Sequence, residues 1–279
     1  MIYLVAAIIC SAIIPIVMRF AKDKVTSEYG MYIVNYLVCV LLSLFFMEDI
    51  VLYPNVDGAK STLIIGAISG LLYLLALYYY DVSVGKTGVV LTSIFKKSGI
   101  IFPVLIVVVI FGEKITVNQI IGIVLSLCAI VLVNYQKNSF KKVEHIEVLL
   151  LCMCIGGITD STNNLFYKLG NPKLKDQYFF YTFLFAALCT LVMMVITKKG
   201  VGKHELLYGT ILGIPNYLST RFLTMALFSV PAVITYPAFF MLSMVGITLA
   251  GVILFKEKID IKKIVAIAVV IVAMILLNI

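Results

Sequence analysis

The most regular feature of the sequence is a succession of apolar runs, each long enough to cross a bilayer as a helix. A spanning helix needs roughly 20 mostly apolar residues, and the chain offers about ten such runs separated by short polar turns. The runs are continuous and do not alternate, so they predict helices and not barrel strands. We place the predicted spans at 2–21, 29–47, 61–80, 87–111, 117–135, 147–169, 177–197, 204–228, 231–255 and 261–278.

Composition supports a membrane protein. Of the 279 residues, 62% are hydrophobic and 13% are charged, whereas a soluble domain carries about 25% charged residues. The net charge is +8, but most lysines and arginines lie in short turns, where they orient the chain in the membrane. We expect a multi-pass protein of a bacterial cytoplasmic membrane. Its expected partners are the lipid bilayer and a small-molecule substrate, with no nucleic acid, and it is either a monomer or a homodimer.

The turns on the two sides of the membrane differ in charge. Fourteen lysines and arginines lie on the side that follows the odd-numbered spans, and five lie on the other side. Positive residues concentrate on the cytoplasmic side. The count therefore predicts that both termini face away from the cytoplasm.

A motif recurs at the ends of the two halves of the chain. The segment from Phe111, FGEKITVNQIIGIVLSLCAIVLVN, aligns without a gap with the segment from Phe255, FKEKIDIKKIVAIAVVIVAMILLN. Five spans in each half place the second half upside down relative to the first, as in many secondary transporters. The predicted fold is an all-α polytopic membrane protein. Its ten transmembrane helices form two inverted five-helix repeats, residues 1–137 and 144–279, around a central cavity.

With these motifs the chain resembles the EamA family of the drug/metabolite transporter superfamily. The resemblance rests on the ten spans in two halves, on Ala76-Leu77-Tyr78-Tyr79, on Pro103 within span 4, and on Gly-Glu-Lys-Ile at 112–115, which returns as Lys-Glu-Lys-Ile at 256–259. It implies a central cavity lined by spans 1–4 and 6–9, and carriage of small metabolites. It also implies termini in the cytoplasm, the opposite of the charge count.

Four ionisable residues lie deep in the predicted spans: Lys96, Lys97, Asp160 and Arg221. Each charge at a helix centre costs about 2.5–3.5 kcal/mol on insertion scales, so we expect these groups to face a wet cavity or a partner. Adjacent residues diverge by about 100° on a helix. We therefore expect one lysine to face the ligand and the other to face a neighbouring helix. Spans 6 and 8 run in the same direction, which predicts an ion pair between Asp160 and Arg221.

Polar and aromatic residues form stripes beside these charges. In span 6, Asp160 is followed by Asn163, Asn164 and Tyr167 on one helical face. The candidate substrate-binding residues are Lys96, Lys97, Asp160, Asn163, Asn164, Tyr167, Tyr217, Arg221, Tyr236 and Tyr73. Polar stripes also serve interhelical packing, and that alternative stays open. We assign Tyr78, Tyr79 and Tyr80 to an interfacial aromatic belt, and Gly66 and Gly70 to close helix packing.

These patterns predict a secondary transporter that moves a small anionic or zwitterionic metabolite by alternating access. Three deep cations against one acid favour an anionic substrate. One alternative is an exporter of cationic or aromatic drugs, with Asp160 and the aromatic residues as its site. Another is a membrane enzyme acting on phosphorylated lipid, and a third is an interaction protein without transport. No Walker motif, catalytic constellation or metal-ligand spacing occurs, so we predict no cofactor, no metal and no enzymatic activity.

Overall fold

The chain folds into helices. A computed structural model describes residues 2–87, 89–134, 145–256 and 261–277, and no strand occurs within those ranges. The helices are α1 (Ile2–Ala21), α2 (Glu28–Phe45), α3 (Ala59–Thr87), α4 (Val89–Ser98), α5 (Ile101–Val109), α6 (Val117–Asn134), α7 (Ile146–Leu169), α8 (Lys175–Thr197), α9 (Lys203–Leu227), α10 (Ala232–Phe255) and α11 (Ile261–Leu277), with a 3₁₀ turn at Pro172–Leu174 before α8.

The helix bounds follow the predicted spans closely. Eight of the ten spans agree with a helix to within two residues at each end, whereas α3 continues seven residues past the predicted end of span 3. Six helices of the described chain are long and apolar enough to cross a membrane, namely α1, α2, α3, α7, α8 with its preceding turn, and α10. The chain is therefore an all-helical, multi-pass membrane protein. The inverted arrangement of ten spans stays a prediction.

Predicted span 4 consists of two helices with a break at Gly99 and Ile100. Pro103 has no N–H to donate to the carbonyl of Gly99, four residues earlier, and its ring crowds that carbonyl. The Gly99 carbonyl instead accepts from Phe102 N at 3.0 Å, and Gly99 N donates to Lys96 O at 3.2 Å. The helix thus tightens into a turn immediately after Lys96 and Lys97.

The described contacts divide the chain into two compact units. Among the described residues, one comprises those of Ile2–Leu74 and Leu165–Met225, and the other comprises those of Leu75–Asn164 and Ala226–Ile279. We call the first the arginine unit, because it contains Arg221, and the second the lysine unit, because it contains Lys96 and Lys97. Each unit takes segments from both halves of the sequence.

Glycines allow close helix packing inside each unit. In the arginine unit a Cβ on Gly66 would lie 2.7 Å from Tyr181 Cβ, and one on Gly70 would lie 2.6 Å from Thr182 O. The prediction that these two glycines serve packing is confirmed. In the lysine unit a Cβ on Gly157 would lie 2.4 Å from Gly99 O, so α7 crosses the helix break almost backbone to backbone.

Two parts of the sequence analysis lie outside the described residues. The linker between the halves, 138–143, lies within the undescribed stretch 135–144, and residues 257–259 of the second Phe-x-Glu-Lys-Ile motif lie within 257–260. In the first copy, Gly112 has a φ of 65°, which glycine adopts at little cost.

Candidate functional site

The arginine unit holds a buried ion pair between Arg221 on α9 and Asp176 on α8. Arg221 Nη1 donates to Asp176 Oδ1 and to Tyr217 Oη at 2.9 Å. The side chains of Arg221 and Asp176 are only 11% and 9% exposed. A buried charge of this kind is tolerated when a partner and further hydrogen bonds satisfy it. We call these residues, with the rings around them, the arginine centre.

Helix connectivity brings the two charges together. Helix α8 ends at Thr197, where Lys198 with its left-handed φ of 53° terminates it, and α9 begins at Lys203. A connection this short makes the two helices antiparallel neighbours. The first turn of α8, with Asp176, therefore lies at the level of the last turns of α9, with Arg221.

Aromatic rings enclose the guanidinium. Arg221 Cζ lies 4.6 Å from the ring centroid of Phe46 and 6.0 Å from those of Phe179 and Tyr217. Phe46 and Tyr217 stack with their centroids 5.8 Å apart. These rings exclude water and add cation–π attraction, so the arginine is fixed in place by contacts on several sides.

The predicted partner of Arg221 was wrong. The sequence analysis paired Arg221 with Asp160, whereas the structure pairs it with Asp176. Asp160 belongs to the lysine unit. The sequence reasoning compared only charges deep within the apolar runs and therefore passed over an aspartate in the first turn of a helix.

An aromatic chain extends from the arginine centre to another candidate residue. Phe183 lies 5.9 Å from Tyr217 and 6.2 Å from Tyr73, and Tyr36 meets Tyr73 edge to face at 6.4 Å. Candidates Tyr73, Tyr217 and Arg221 thus belong to one connected cluster. Tyr167 lies in the same unit, where Lys168 Nζ sits 5.4 Å from its ring centroid.

The lysine unit holds the second cluster, around Lys96. The Lys96 ammonium lies 4.5 Å from the ring centroid of Tyr80. Its stem passes Gly156, where an added Cβ would lie 3.8 Å from Lys96 Cγ. Asp160 is one helical turn beyond Gly156 on α7, so it belongs to the same stretch of helix that the Lys96 stem passes. We call Tyr80, Lys96, Gly156, Asp160 and Tyr236 the lysine centre.

Tyr236 holds the backbone of α7 at this centre. Its hydroxyl donates to the backbone carbonyl of Asp160 at 3.2 Å, and its side chain is fully buried. Pro237 follows it within α10, where a proline frees a backbone carbonyl. Tyr236 therefore positions the backbone of α7 at Asp160.

The two lysines differ in environment, as predicted for adjacent residues on a helix. Lys96 is exposed and Lys97 is half-buried, and both lie in the last turn of α4. Cations are favoured there because the carbonyl end of a helix carries partial negative charge. Among the described residues no carboxylate lies within ion-pair distance of either lysine, in contrast to Arg221.

The remaining two candidates also belong to the lysine unit. Asn163 and Asn164 are both buried. Neither the oxygen nor the nitrogen of the Asn164 amide has a hydrogen-bond partner in the described part of the chain. An unsatisfied buried amide is costly, so this side chain has capacity for a ligand or for contacts in another conformation.

Sequence reasoning missed two residues of these centres, Asp176 and Tyr80. Tyr80 was assigned to an interfacial belt, whereas its ring lies against Lys96. Both residues could have been found by counting residues on either side of the connection between two consecutive antiparallel helices. Tyr80 lies seven residues before the end of α3 at Thr87, and Lys96 lies seven residues after the start of α4 at Val89, and antiparallel neighbours bring such positions to one level.

The described residues contain no group of three or more histidine, cysteine, aspartate or glutamate side chains placed to hold a metal ion. The arginine and lysine centres instead offer charged groups, hydrogen-bonding groups and aromatic faces.

Comparison with known proteins identifies the class. Residues 1–135 match the model of the EamA-like transporter family, and residues 179–270 match that of the Small Multidrug Resistance protein. A solved structure whose title reads only "Crystal structure of protein" aligns with a TM-score of 0.81 at 12% identity, covering 99% of this chain and 94% of that one. At this identity the likeness shows the fold alone. The comparison with curated proteins gives no significant match.

Both matched families are transporter families and not enzyme families, and they cover most of the two halves of the chain. The resemblance predicted from the motifs is confirmed, and the two matches indicate a membrane transporter of the drug/metabolite transporter type.

Proposed function

We propose that the chain is a secondary transporter that moves a small zwitterionic or anionic metabolite across the cytoplasmic membrane by alternating access. In this proposal its ten spans form two inverted repeats, and the lysine centre binds the substrate. The observation that carries it is the exposure of Lys96 and the side chains around it. This cation lies within a predicted span yet is exposed, with the ring of Tyr80 against its ammonium and Gly156, one helical turn before Asp160, beside its stem.

The cost of a charge in the membrane supports a wet surface at Lys96. A lysine facing hydrocarbon near the middle of a span costs about 2.5–3.5 kcal/mol or more. Lys96 lies nine residues into predicted span 4, too deep for its side chain to reach the membrane interface easily. A water-accessible face at Lys96 removes that cost. Such a face also admits a ligand.

The charge balance of the deep groups narrows the substrate class. Arg221 is neutralised by Asp176, which leaves Lys96, Lys97 and Asp160, two cations against one acid. A net charge of +1 suits an anion. The presence of Asp160 in the same centre also suits a zwitterion, whose carboxylate would meet the Lys96 ammonium and whose amine would meet the Asp160 carboxylate. The arginine centre is then a structural element and not a substrate site.

The break between α4 and α5 suits a moving element. Discontinuous helices near the substrate site are common in transporters built from inverted repeats. Here the break lies just after Lys96 and Lys97, and the close approach of Gly157 to Gly99 and Phe102 makes it the point about which α4 and α5 can pivot against α7. We assign the change between inward-open and outward-open states to this crossing.

A second candidate function is the export of cationic or aromatic drugs. The match of residues 179–270 to the Small Multidrug Resistance protein favours it. In that case Asp160 would bind the cation, and Tyr80 and Tyr236 would provide aromatic surface. Lys96 would then oppose binding, because a like charge beside the site repels a cation.

Transport by the purified protein in proteoliposomes distinguishes these functions. Vesicles preloaded with unlabelled compound are tested for uptake of radiolabelled anionic, zwitterionic and cationic metabolites, with protein-free liposomes as the control. The proposal predicts exchange of an anion or a zwitterion, with competition by other carboxylates. Exchange of cations alone would establish the second candidate, and exchange of no compound in the panel would contradict both.

A further inference from the structure

The loop between α2 and α3, residues 46–58, exposes a run of apolar side chains. Ile50, Val51, Leu52 and Tyr53 are consecutive and exposed, with Ile50 at 71% and Tyr53 at 58%, and Val56 follows. A contiguous exposed apolar patch of this kind marks an interaction surface.

The backbone of this loop is held in place by side chains of the arginine unit. Gln177 Nε2 donates to Val51 O at 3.2 Å, and the Tyr181 hydroxyl donates to Leu52 O. Asn171 Nδ2 donates to Asp57 O at 3.0 Å. These bonds fix the carbonyls toward the protein, so the apolar side chains stay outside.

The loop joins two helices that each carry a stripe of exposed apolar side chains. On α2 the exposed residues Leu37, Leu41 and Phe45 recur every four positions, and on α3 Ile64, Ile68 and Leu71 form a similar stripe. These stripes cover helices long and apolar enough to span a membrane. The loop therefore begins and ends where the bilayer surface lies, with the exposed charges of Glu48, Asp49 and Lys60 at its edges.

We propose that this loop is an interfacial anchor whose apolar side chains enter the boundary between lipid headgroups and acyl chains. Amphipathic helices at this boundary reach about 5–10 Å into it, which sets the scale of depth available to the loop, and a tyrosine such as Tyr53 suits its upper edge. The anchor has a consequence for the arginine centre. Phe46 begins the loop and lies against Arg221, and Gln177 follows Asp176 directly, so the bilayer steadies both sides of the ion pair.

The sequence offers a direct test because it contains no tryptophan. A single introduced tryptophan then gives the entire tryptophan signal. Tyr53→Trp and, separately, Leu52→Trp are reconstituted in phosphatidylcholine vesicles with and without brominated acyl chains. Leu41→Trp on α2 is the lipid-embedded reference, and Lys199→Trp in the polar α8–α9 turn is the aqueous reference.

We expect both loop tryptophans to emit at shorter wavelength than Lys199→Trp and to be quenched by brominated lipid, less deeply than Leu41→Trp. Emission like that of Lys199→Trp, with quenching by aqueous iodide and not by lipid, would overturn the anchor. Shielding from both quenchers would overturn it too, because a protein surface would then cover the loop. If one variant fails to fold, the other decides the question.

Discussion

Arg221 of α9 forms a buried ion pair with Asp176 of α8, and the ring of Phe46 lies 4.6 Å from the guanidinium carbon. The pair links the beginning of one helix to the end of its antiparallel neighbour. Tyr217 accepts a second hydrogen bond from the same nitrogen. The arrangement neutralises one of the three deep cations and leaves Lys96 and Lys97, with Asp160 as the one acid of the deep set.

The first prediction concerns this pair. Asp176→Asn and Arg221→Gln should each destabilise the protein by about 3–5 kcal/mol, because either change leaves a buried charge without its partner. The double variant Asp176→Asn/Arg221→Gln should lose less unfolding free energy than the two single variants lose together. Thermal unfolding in detergent measures all three.

The control for that cycle is the combination of Asp160→Asn with Arg221→Gln. Since Asp176 occupies the guanidinium of Arg221, these two effects should add with little coupling, within about 0.5 kcal/mol. Strong coupling to Asp160 together with additivity at Asp176 would show that the ion pair is assigned to the wrong partner.

Glu205 provides the second prediction. Its Oε1 accepts from Thr26 N at 2.7 Å, Thr26 Oγ1 at 2.9 Å and Ser27 N at 3.1 Å, and its Oε2 accepts from Gly202 N at 3.0 Å. In Glu205→Gln either orientation of the amide places an NH₂ group against a backbone N–H. We expect a loss of about 1–3 kcal/mol in unfolding free energy.

Glu147→Gln is the matched control for Glu205→Gln. The Glu147 side chain is 64% exposed and contacts His145 at 3.3 Å, so the change should stay within about 0.5 kcal/mol. Equal melting temperatures for the two variants would refute the structural role of Glu205.

The third prediction tests the crossing at Gly157. In Gly157→Ala the new Cβ would lie 2.4 Å from Gly99 O, and neither backbone can yield without moving a helix. A loss of about 1–3 kcal/mol is expected, despite the better helix propensity of alanine. In Gly85→Ala no described atom lies within 4 Å of the new Cβ, so stability should be unchanged or slightly higher. Identical melting of the two variants would contradict the close contact.

The fourth prediction concerns orientation in the membrane. The fourteen-to-five charge count places both termini outside the cytoplasm. A fluorescent protein that folds only in the cytoplasm, fused after Ile279, should therefore stay dark, and a phosphatase that is active only outside should be active there. A bright fusion would support the cytoplasmic termini that the EamA resemblance implies.

Much of the fold was predictable because helix formation in a membrane is dictated locally. Apolar runs bounded by charged turns predicted α1, α2 and α6–α11 to within two residues at each end. Pro103 was recognised in span 4, but its effect on the Gly99 carbonyl depends on local geometry that a hydropathy pattern does not contain. The ten-span inverted arrangement rests on a motif whose second copy lies largely outside the described residues.

The candidate site was predictable only in part because contacts depend on which helices are neighbours. Charge burial singled out Lys96, Asp160 and Arg221 as residues that need partners. It could not assign the partners. The pairing of Arg221 with Asp160 was wrong because only the depth of charged residues in the membrane was compared, and not which residues of α8 lie level with Arg221 on α9. Tyr80 was missed since a tyrosine at the end of an apolar run is typical of the interface.

The central claim is that the Lys96 ammonium binds the substrate. In Lys96→Met the stem is kept and the charge is removed, so the affinity for the anionic or zwitterionic substrate should fall by about 1.5–3 kcal/mol, roughly ten- to a hundredfold. Lys96→Arg keeps the charge and should retain part of the binding. Lys97→Met removes the neighbouring half-buried charge and should leave affinity close to that of the unmodified protein.

Calorimetry on the purified protein, with the substrate identified by the transport panel, is the most direct measurement. The account predicts a large affinity loss for Lys96→Met, an intermediate one for Lys96→Arg and little change for Lys97→Met, all with intact thermal unfolding. Binding by Lys96→Met equal to that of the unmodified protein would contradict the claim and leave Lys96 with a structural role alone.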